Sequence, residues 1–204
     1  MADPGPSISS PHPFPHKRFL LALDLNGCLC LKVKHDDPPL PSDFPISDLK
    51  VLQLKFYKVI ERRGANDFVN RLLDICDVGI LTSTTKPNAD QMIDLILEPE
   101  VKAKLKFIWY RDDVEVDLNG KEDYATVKKL KSVVRSAAIN IRKDGVWRYS
   151  MDRALIADNS LSKIDKNPIS NMYLFPAYTG SSDDKSLDEI RLEIEARIGE
   201  MMKD

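Results

Sequence analysis

The stretch Phe19 to Leu25, FLLALDL, is apolar at both odd and even positions, is interrupted only by Asp24, and is ended by Asn26-Gly27. A strand with one wet face would alternate apolar and polar residues. This one reads instead as a strand buried on both faces with a turn after it, and strands of that kind belong to parallel sheets covered by helices.

The rest of the chain repeats the same unit. After Arg62-Arg63-Gly64, ANDFVNRLLDIC places Phe68, Leu72, Leu73, Ile75 and Cys76 at helical spacings, and VGILTS follows as an apolar strand. PNADQMIDLILE opens with Pro87 near a helix start and carries Met92, Ile93, Leu95, Ile96 and Leu97, and FIWYR (107–111) is the next expected strand. A polar loop with Asn119-Gly120 precedes an expected helix from Tyr124 to Ile139; ALIADN (154–159) and MYLFPA (172–177) complete the strands, and LDEIRLEIEARI closes the chain as a helix. The Pro-, Asp- and Ser-rich stretch Leu31 to Leu49 shows no sustained period and is expected to be a surface flap, with Phe56 to Ile60 returning as a short extended piece. Strands and helices alternating in this way predict an α/β fold, a doubly wound parallel sheet with a small flap and no large cap domain. Its ligands are expected beyond the carboxyl ends of the strands.

Composition narrows the class. A length of 204 residues, 43% of them hydrophobic and 30% charged, suits one globular domain. Residues 1–18 read as a disordered Pro-rich tail and residues 19–204 as the folded unit. The net charge of -2 gives no basic field for direct nucleic-acid binding. No run approaches the ~18 apolar residues of a membrane span. Cys28, Cys30 and Cys76 lack a second Cys pair or clustered histidines, which argues against a zinc site and for a reducing intracellular compartment. Cys28 and Cys30, two residues apart in a short extended stretch, read as buried packing. The expectation is a monomer in the nucleus, the cytoplasm or both.

The predicted strand ends gather polar groups: Asp24 and Asn26, then Thr82 and Ser83, then Arg111, then Asp158, Asn159 and Ser160. Singly, an Asp at a strand end is most often a turn or cap residue; recurrence at successive strands is the stronger signal. Carboxylates beside an amide oxygen and a main-chain carbonyl make a hard, oxygen-only site suited to Mg²⁺. A hydroxyl and a lysine ammonium can then orient and neutralise phosphate oxygens, which is the equipment of phosphoryl transfer through a carboxylate nucleophile.

These residues resemble a known family. LLALDLNGCLC looks like the first motif of the haloacid-dehalogenase superfamily, whose phosphatases read Asp-x-Asp-x-(Thr/Val) after an apolar strand. DVGILTSTTKPNAD resembles the second motif of the branch that dephosphorylates the RNA polymerase II C-terminal domain and related phosphoproteins, the FCP/SCP or NLI-interacting-factor-like branch. RRGANDFVNRLL is similar to that branch's Arg-Pro-Gly-led helix, YATVKKLKSV to its third-motif segment, and ALIADNSLSKIDKNPISNMYLFPAYTG to its fourth motif and the segment after it. The resemblance implies a Rossmann-like haloacid-dehalogenase fold. It makes Asp24 the nucleophile that becomes aspartyl-phosphate, Thr82 the hydroxyl that binds the transferring phosphoryl group, and Arg111 a substrate-gripping arginine; Ser83, beside Thr82 at the same strand end, is expected to bind substrate with Arg111. Lys128, with Lys129 as rival, becomes the neutralising lysine. Asp24, the Asn26 main-chain carbonyl, Asp158 and Asn159 become the Mg²⁺ site.

One departure bears on activity. Asn26 stands where the family's phosphatases have the Asp that protonates the leaving oxygen and then deprotonates water, a variant shared by a subgroup that reads Asp-Leu-Asn-Gly. An amide does neither task, and positioned acid-base groups contribute ~10²- to 10⁴-fold. The two resulting readings are a slowed Mg²⁺-dependent phosphatase of phosphoserine or phosphothreonine in proteins, and an inactive phosphatase-fold module that binds a phosphoprotein partner. A role like that of the mitochondrial inner-membrane translocase receptor is less expected, because the chain shows neither a membrane span nor a presequence.

Overall fold

The computed structural model describes residues 19–38, 40, 44, 46–116, 126–136, 149–181 and 183–203. The expected tail at 1–18, the loop at Asn119-Gly120 and both ends of the expected 124–139 helix lie outside the described residues.

The core is a five-stranded sheet formed by β1 (Leu20–Leu23), β5 (Asp77–Leu81), β6 (Ile108–Trp109), β9 (Ala154–Asp158) and β10 (Met172–Leu174), in the order β10-β9-β1-β5-β6. All pairings are parallel. β1 lies in the middle, and all four of its residues are fully buried. Its alternate side chains serve different layers. Leu21 and Leu23, with Val78, Ile80, Leu155 and Ala157, pack against α1 (Ala65–Ile75), α2 (Lys86–Ile96) and α6 (Leu187–Met201). Leu20 and Ala22, with Leu81, Ala154 and Ile156, pack against α4 (Leu130–Arg135) and α5 (Leu161–Ile164). The absence of alternation in FLLALDL is thereby explained: helices cover both faces, each buried leucine contributing about 1.5–3 kcal/mol. A short helix, α3 (Pro99–Lys104), leads into β6.

Each long helix turns one stripe inward. α1 buries Ala65, Phe68, Val69 and Leu72, and α2 buries Ala89, Met92, Ile93 and Ile96, both at i, i+3, i+4, i+7. Ser186 and Glu189 form a capping box at the start of α6, which buries Leu187, Ile190, Ile194 and Ile198. Ile75, assigned to the α1 stripe by spacing, is instead exposed at the helix end. Among the described residues no helix is long and apolar enough to cross a membrane.

Two expectations change. The segment after β1 is more ordered than a period-free flap: β2 (Cys30–Lys34), β3 (Val51–Gln53) and β4 (Tyr57–Glu61) form an antiparallel sheet in the order β2-β4-β3. β2 does carry the alternation of a half-buried strand, Leu31 and Val33 against Lys32 and Lys34, but the pattern is too short to register before the Asp- and Pro-rich stretch that follows it. The helix expected from Tyr124 begins only at Leu130. Thr126–Val127 form β8, paired antiparallel with β7 (Glu115–Val116), because two β-branched residues suit a strand and find a partner there.

Candidate active site

Leu23 of β1 stands opposite Ala157 of β9, and the Asp24 N–H donates to the Ala157 carbonyl at 2.9 Å. The next residue on each strand is an aspartate, so strand register alone brings Asp24 beside Asp158. Both are buried, at 3% and 0% exposure. Two neighbouring buried carboxylates need a counter-charge. Lys128 supplies it: its Nζ, with no exposure, lies 2.7 Å from Asp24 Oδ1 and 2.5 Å from Asp158 Oδ2. Burial works against the ammonium, but the two carboxylates outweigh it and hold its pKa above the ordinary lysine value. Burial and then Asp24 raise the Asp158 carboxyl, opposed by Lys128 and by the Ser160 N–H, which donates to Asp158 Oδ1 at 2.8 Å.

The backbone around Lys128 is fixed by non-helical bonds. Its N–H donates to the Lys163 carbonyl at 2.7 Å, and its carbonyl accepts from Asn167 Nδ2 at 2.8 Å. Asn167 Oδ1 also accepts from Leu130 N–H at 2.7 Å, which marks the start of α4. Lys128 thus sits in a strand-to-helix connection, not on a helix face. Lys129 is half exposed and pairs with Glu115 at the surface.

Thr82, Ser83 and Arg111 form a hydrogen-bonded strip beyond β5 and β6. Thr82 is buried, and its hydroxyl accepts the Thr84 N–H at 3.2 Å. The Ser83 and Thr126 hydroxyls are 2.6 Å apart. Arg111 Nε donates to the Ser83 carbonyl at 2.9 Å, and its N–H donates to the Thr84 carbonyl at 3.0 Å. The Asn159 side chain lies over Gly27, where a Cβ would come within 2.3 Å of Asn159 Nδ2; Gly27 also has a φ of 83°, so both the turn and the close approach require glycine.

Asn26 departs from the rest. Its side-chain hydrogen bond among the described residues points into the flap, Oδ1 accepting from the Lys32 N–H at 2.9 Å. No described residue hydrogen-bonds its main-chain carbonyl.

Some contributors escaped the sequence reading. Lys163 meets the site through its carbonyl, which accepts the Lys128 N–H, and Lys32 through its N–H, which donates to Asn26; Lys32 Nζ lies 4.6 Å from the centroid of the Tyr57 ring, and burial, then the like charges of Arg111 and Lys163, lower its pKa. Asn167 had only an Asn-Pro step as a signal. Arg62, the arginine that matches the Arg-Pro-Gly motif, is buried. Its guanidinium donates to the carbonyls of Cys28 at 3.0 Å, Pro176 at 3.3 Å and Lys185 at 2.6 Å, tying the turn after β1 to the start of α6. A cavity of about 560 Å³ near Arg62, Phe68, Tyr178 and Leu187 includes none of Asp24, Thr82, Lys128 or Asp158.

The donor set bears on a metal. No group of three or more His, Cys, Asp or Glu among the described residues could hold an ion. The set that remains is two carboxylates with carbonyl and amide oxygens, which fits Mg²⁺, an ion that keeps several waters, and does not fit a closed four-ligand zinc site.

A parallel sheet that places a buried aspartate-lysine-aspartate group beyond its central strands defines an α/β domain of the haloacid-dehalogenase type. The family model described as NLI interacting factor-like phosphatase matches residues 19–204, and the chain belongs to that family. Among solved structures it is similar to a variant of the fission yeast RNA polymerase II CTD phosphatase Fcp1 bound to beryllium fluoride, with 16% identity and a TM-score of 0.53, over 89% of this chain and 51% of that one. It is also similar to Fcp1 described as an essential RNA polymerase II CTD phosphatase, with 17% identity and a TM-score of 0.55, over 90% of this chain and 51% of that one. The chain thus spans about half the length of each, and at these identities the likeness is one of fold. Comparison with curated protein sequences finds no match.

Proposed function

We propose that the protein is a Mg²⁺-dependent phosphatase of phosphoserine or phosphothreonine in proteins, with Asp24 as nucleophile, slowed by Asn26. The observation that supports this most is the buried contact of Lys128 with both Asp24 and Asp158 beside the Thr82–Ser83 strip. A carboxylate held against a fixed ammonium, next to hydroxyls, is arranged to attack phosphorus while the cation offsets charge gathering on the phosphoryl oxygens. Asp24 takes the phosphoryl group as an acyl phosphate, Thr82, Ser83 and Arg111 hold its oxygens, and water then releases phosphate and regenerates Asp24. Asp24, Asp158, Asn159 and the Asn26 carbonyl would hold Mg²⁺, which when bound supplies positive charge to the non-bridging oxygens.

Asn26 leaves the leaving oxygen without an acid and the attacking water without a base. A carboxylate at this position could keep the bond to the Lys32 N–H, because that bond needs only an acceptor. Asn26→Asp should therefore fold and raise the rate about 10²- to 10⁴-fold, while Asp24→Asn abolishes it. The measurement is phosphate release from an aryl phosphate and a phosphopeptide with Mg²⁺, after mass spectrometry has excluded deamidation at Asn26-Gly27. No gain from the first substitution together with no loss from the second overturns the mechanism.

A second reading has its own observation. The Asn26 amide accepts a flap hydrogen bond, so it serves structure without catalysing, as suits a phosphoprotein-binding module. Phosphopeptide binding with no phosphate release, even at long times, would favour it. Either reading concerns residues 19–204 acting as a monomer inside the cell, in the nucleus or cytoplasm, in keeping with three free, buried thiols.

A further inference from the structure

The cavity of about 560 Å³ that lies apart from the Asp24 pocket has a floor of Phe68, Tyr178 and Leu187, all buried. Its volume is that of a small-molecule site, and such sites join apolar walls to a few polar groups. Here the polar group is Arg62. The charged side chains buried among the described residues are Asp24, Lys128, Asp158 and Arg62. The first three form one group, whereas Arg62, at 3% exposure, makes no salt bridge among the described residues. A guanidinium carries five N–H groups. Nη1 donates to the Cys28 and Pro176 carbonyls and Nη2 to that of Lys185, which leaves the Nε–H and one Nη2–H without a partner among the described residues. Neutral carbonyls offset only part of a buried charge, so this arginine still lacks an anion.

Most other charges around the cavity are engaged. Arg63 pairs with Asp48, Arg71 with Asp188 and Lys185 with Glu193. Asp184, the first group to oppose the burial that lowers the Arg62 pKa, accepts from the Thr179 N–H and hydroxyl and from the Gly180 N–H. Over the whole lining, Arg62, Arg63, Arg71 and Lys185 face Asp67, Asp184 and Asp188, an excess of one positive charge. The start of α1 adds to it: no side chain caps the helix at Gly64, and a Cβ there would meet nothing within 4 Å, so its positive end opens on the same space. Two residues of the wall also hold the turn after Asp24. Arg62 donates to the Cys28 carbonyl at 3.0 Å, and the Tyr178 N–H donates to the Gly27 carbonyl at 2.8 Å.

We propose that this cavity binds a small organic monoanion, with its acid group on the open donors of Arg62 and its apolar body against Phe68, Tyr178 and Leu187, and that the turn after Asp24 responds to its occupancy. One negative charge matches the excess in the lining, and a ligand that shifts Arg62 or Tyr178 shifts the carbonyls they hold. The site is independent of what the Asp24 pocket does.

The test follows the amide NMR signals of the ¹⁵N-labelled full chain with two probes of one shape, 2-naphthoate and its neutral amide 2-naphthamide. Naphthoate should bind about tenfold more tightly, the margin of a charge-assisted hydrogen bond over a neutral one. Its largest shifts should fall at Gly64 to Phe68 and at Tyr178 to Gly180. The signals of Cys28 and Leu29, whose N–H groups share peptide units with the Gly27 and Cys28 carbonyls, should move with the same midpoint. Arg71→Glu, a change at an exposed position, should weaken naphthoate about threefold and leave naphthamide unchanged. Arg62→Lys keeps the charge without the planar fork and should bring the ratio of the two probes below about threefold; if that variant folds poorly, Arg71→Glu decides alone. Equal binding of the two probes, binding of neither, largest shifts at Thr82 to Thr84, a naphthoate affinity indifferent to Arg71→Glu, or unmoved Cys28 and Leu29 signals at saturation would each overturn the proposal. Phosphate release by Asn26→Asp is measured separately, so failure of the phosphatase reading leaves this result readable.

Discussion

Lys128 has the most at stake of any single residue. It neutralises two buried carboxylates at 2.7 and 2.5 Å, and removing it leaves Asp24 and Asp158 without the ammonium they share. Lys128→Met should cost about 3–5 kcal/mol of stability at neutral pH. Asp158 is already raised by burial and by Asp24, and the substitution removes a partner that opposes the rise. A raised folded-state carboxyl penalises the native state as pH rises through the interval above its unfolded-chain value, so the deficit should shrink as pH falls from 7 to 5. Urea denaturation of both proteins at the two pH values checks it; a constant deficit would mean that the ammonium is not offsetting carboxylate charge. The cysteines give a second test at this scale. Burial raises all three thiols far above their ordinary value, and Asp24 and then Asp158 raise Cys28 further. At pH 8 the native protein should resist a thiol reagent at all three positions and react fully in denaturant, because only the accessible thiolate attacks.

Among the elements, the connection between β8 and α4 decides where the lysine goes. Asn167 holds both the Lys128 carbonyl and the Leu130 N–H, so a side chain from the segment after α5 ends one element and begins the next. Asn167→Ala leaves those buried groups without their partner. It should lower stability by about 2–4 kcal/mol and reduce phosphate release beyond the loss of folded protein, whereas a substitution of exposed Lys129 should do neither. Loss of stability with turnover per folded molecule intact would show that Asn167 supports the fold without positioning Lys128.

At the scale of the molecule, Arg62 joins regions distant in the chain. Its guanidinium reaches carbonyls of the turn after β1, of the segment after β10 and of the residue before the α6 cap, and it lies 5.6 Å from the Phe175 ring centroid and 5.1 Å from that of Tyr178. A lysine has no planar fork to serve several carbonyls at once. Arg62→Lys should therefore cost about 2–4 kcal/mol in a single cooperative unfolding transition; a loss below about 0.5 kcal/mol, the ordinary range for surface changes, would contradict this bridging role.

The sheet and its helices were legible because burial leaves a local record. β1 is apolar on both parities, α1 and α2 carry their buried residues at helical spacing, and the aspartates that end β1 and β9 can be read as strand ends from their neighbours in the chain. Where two like or opposite charges meet depends instead on strand register and on hydrogen bonds across 30 or more positions, which no local pattern records. Sequence therefore determined the layers of this protein and the chemistry gathered at its strand tips. Tertiary structure alone decided that Lys128 and not Lys129 faces the two aspartates and that the Asn26 amide turns to the flap. A side chain's partner is set by packing between distant elements, whereas its burial is set largely by its own polarity and its neighbours along the chain.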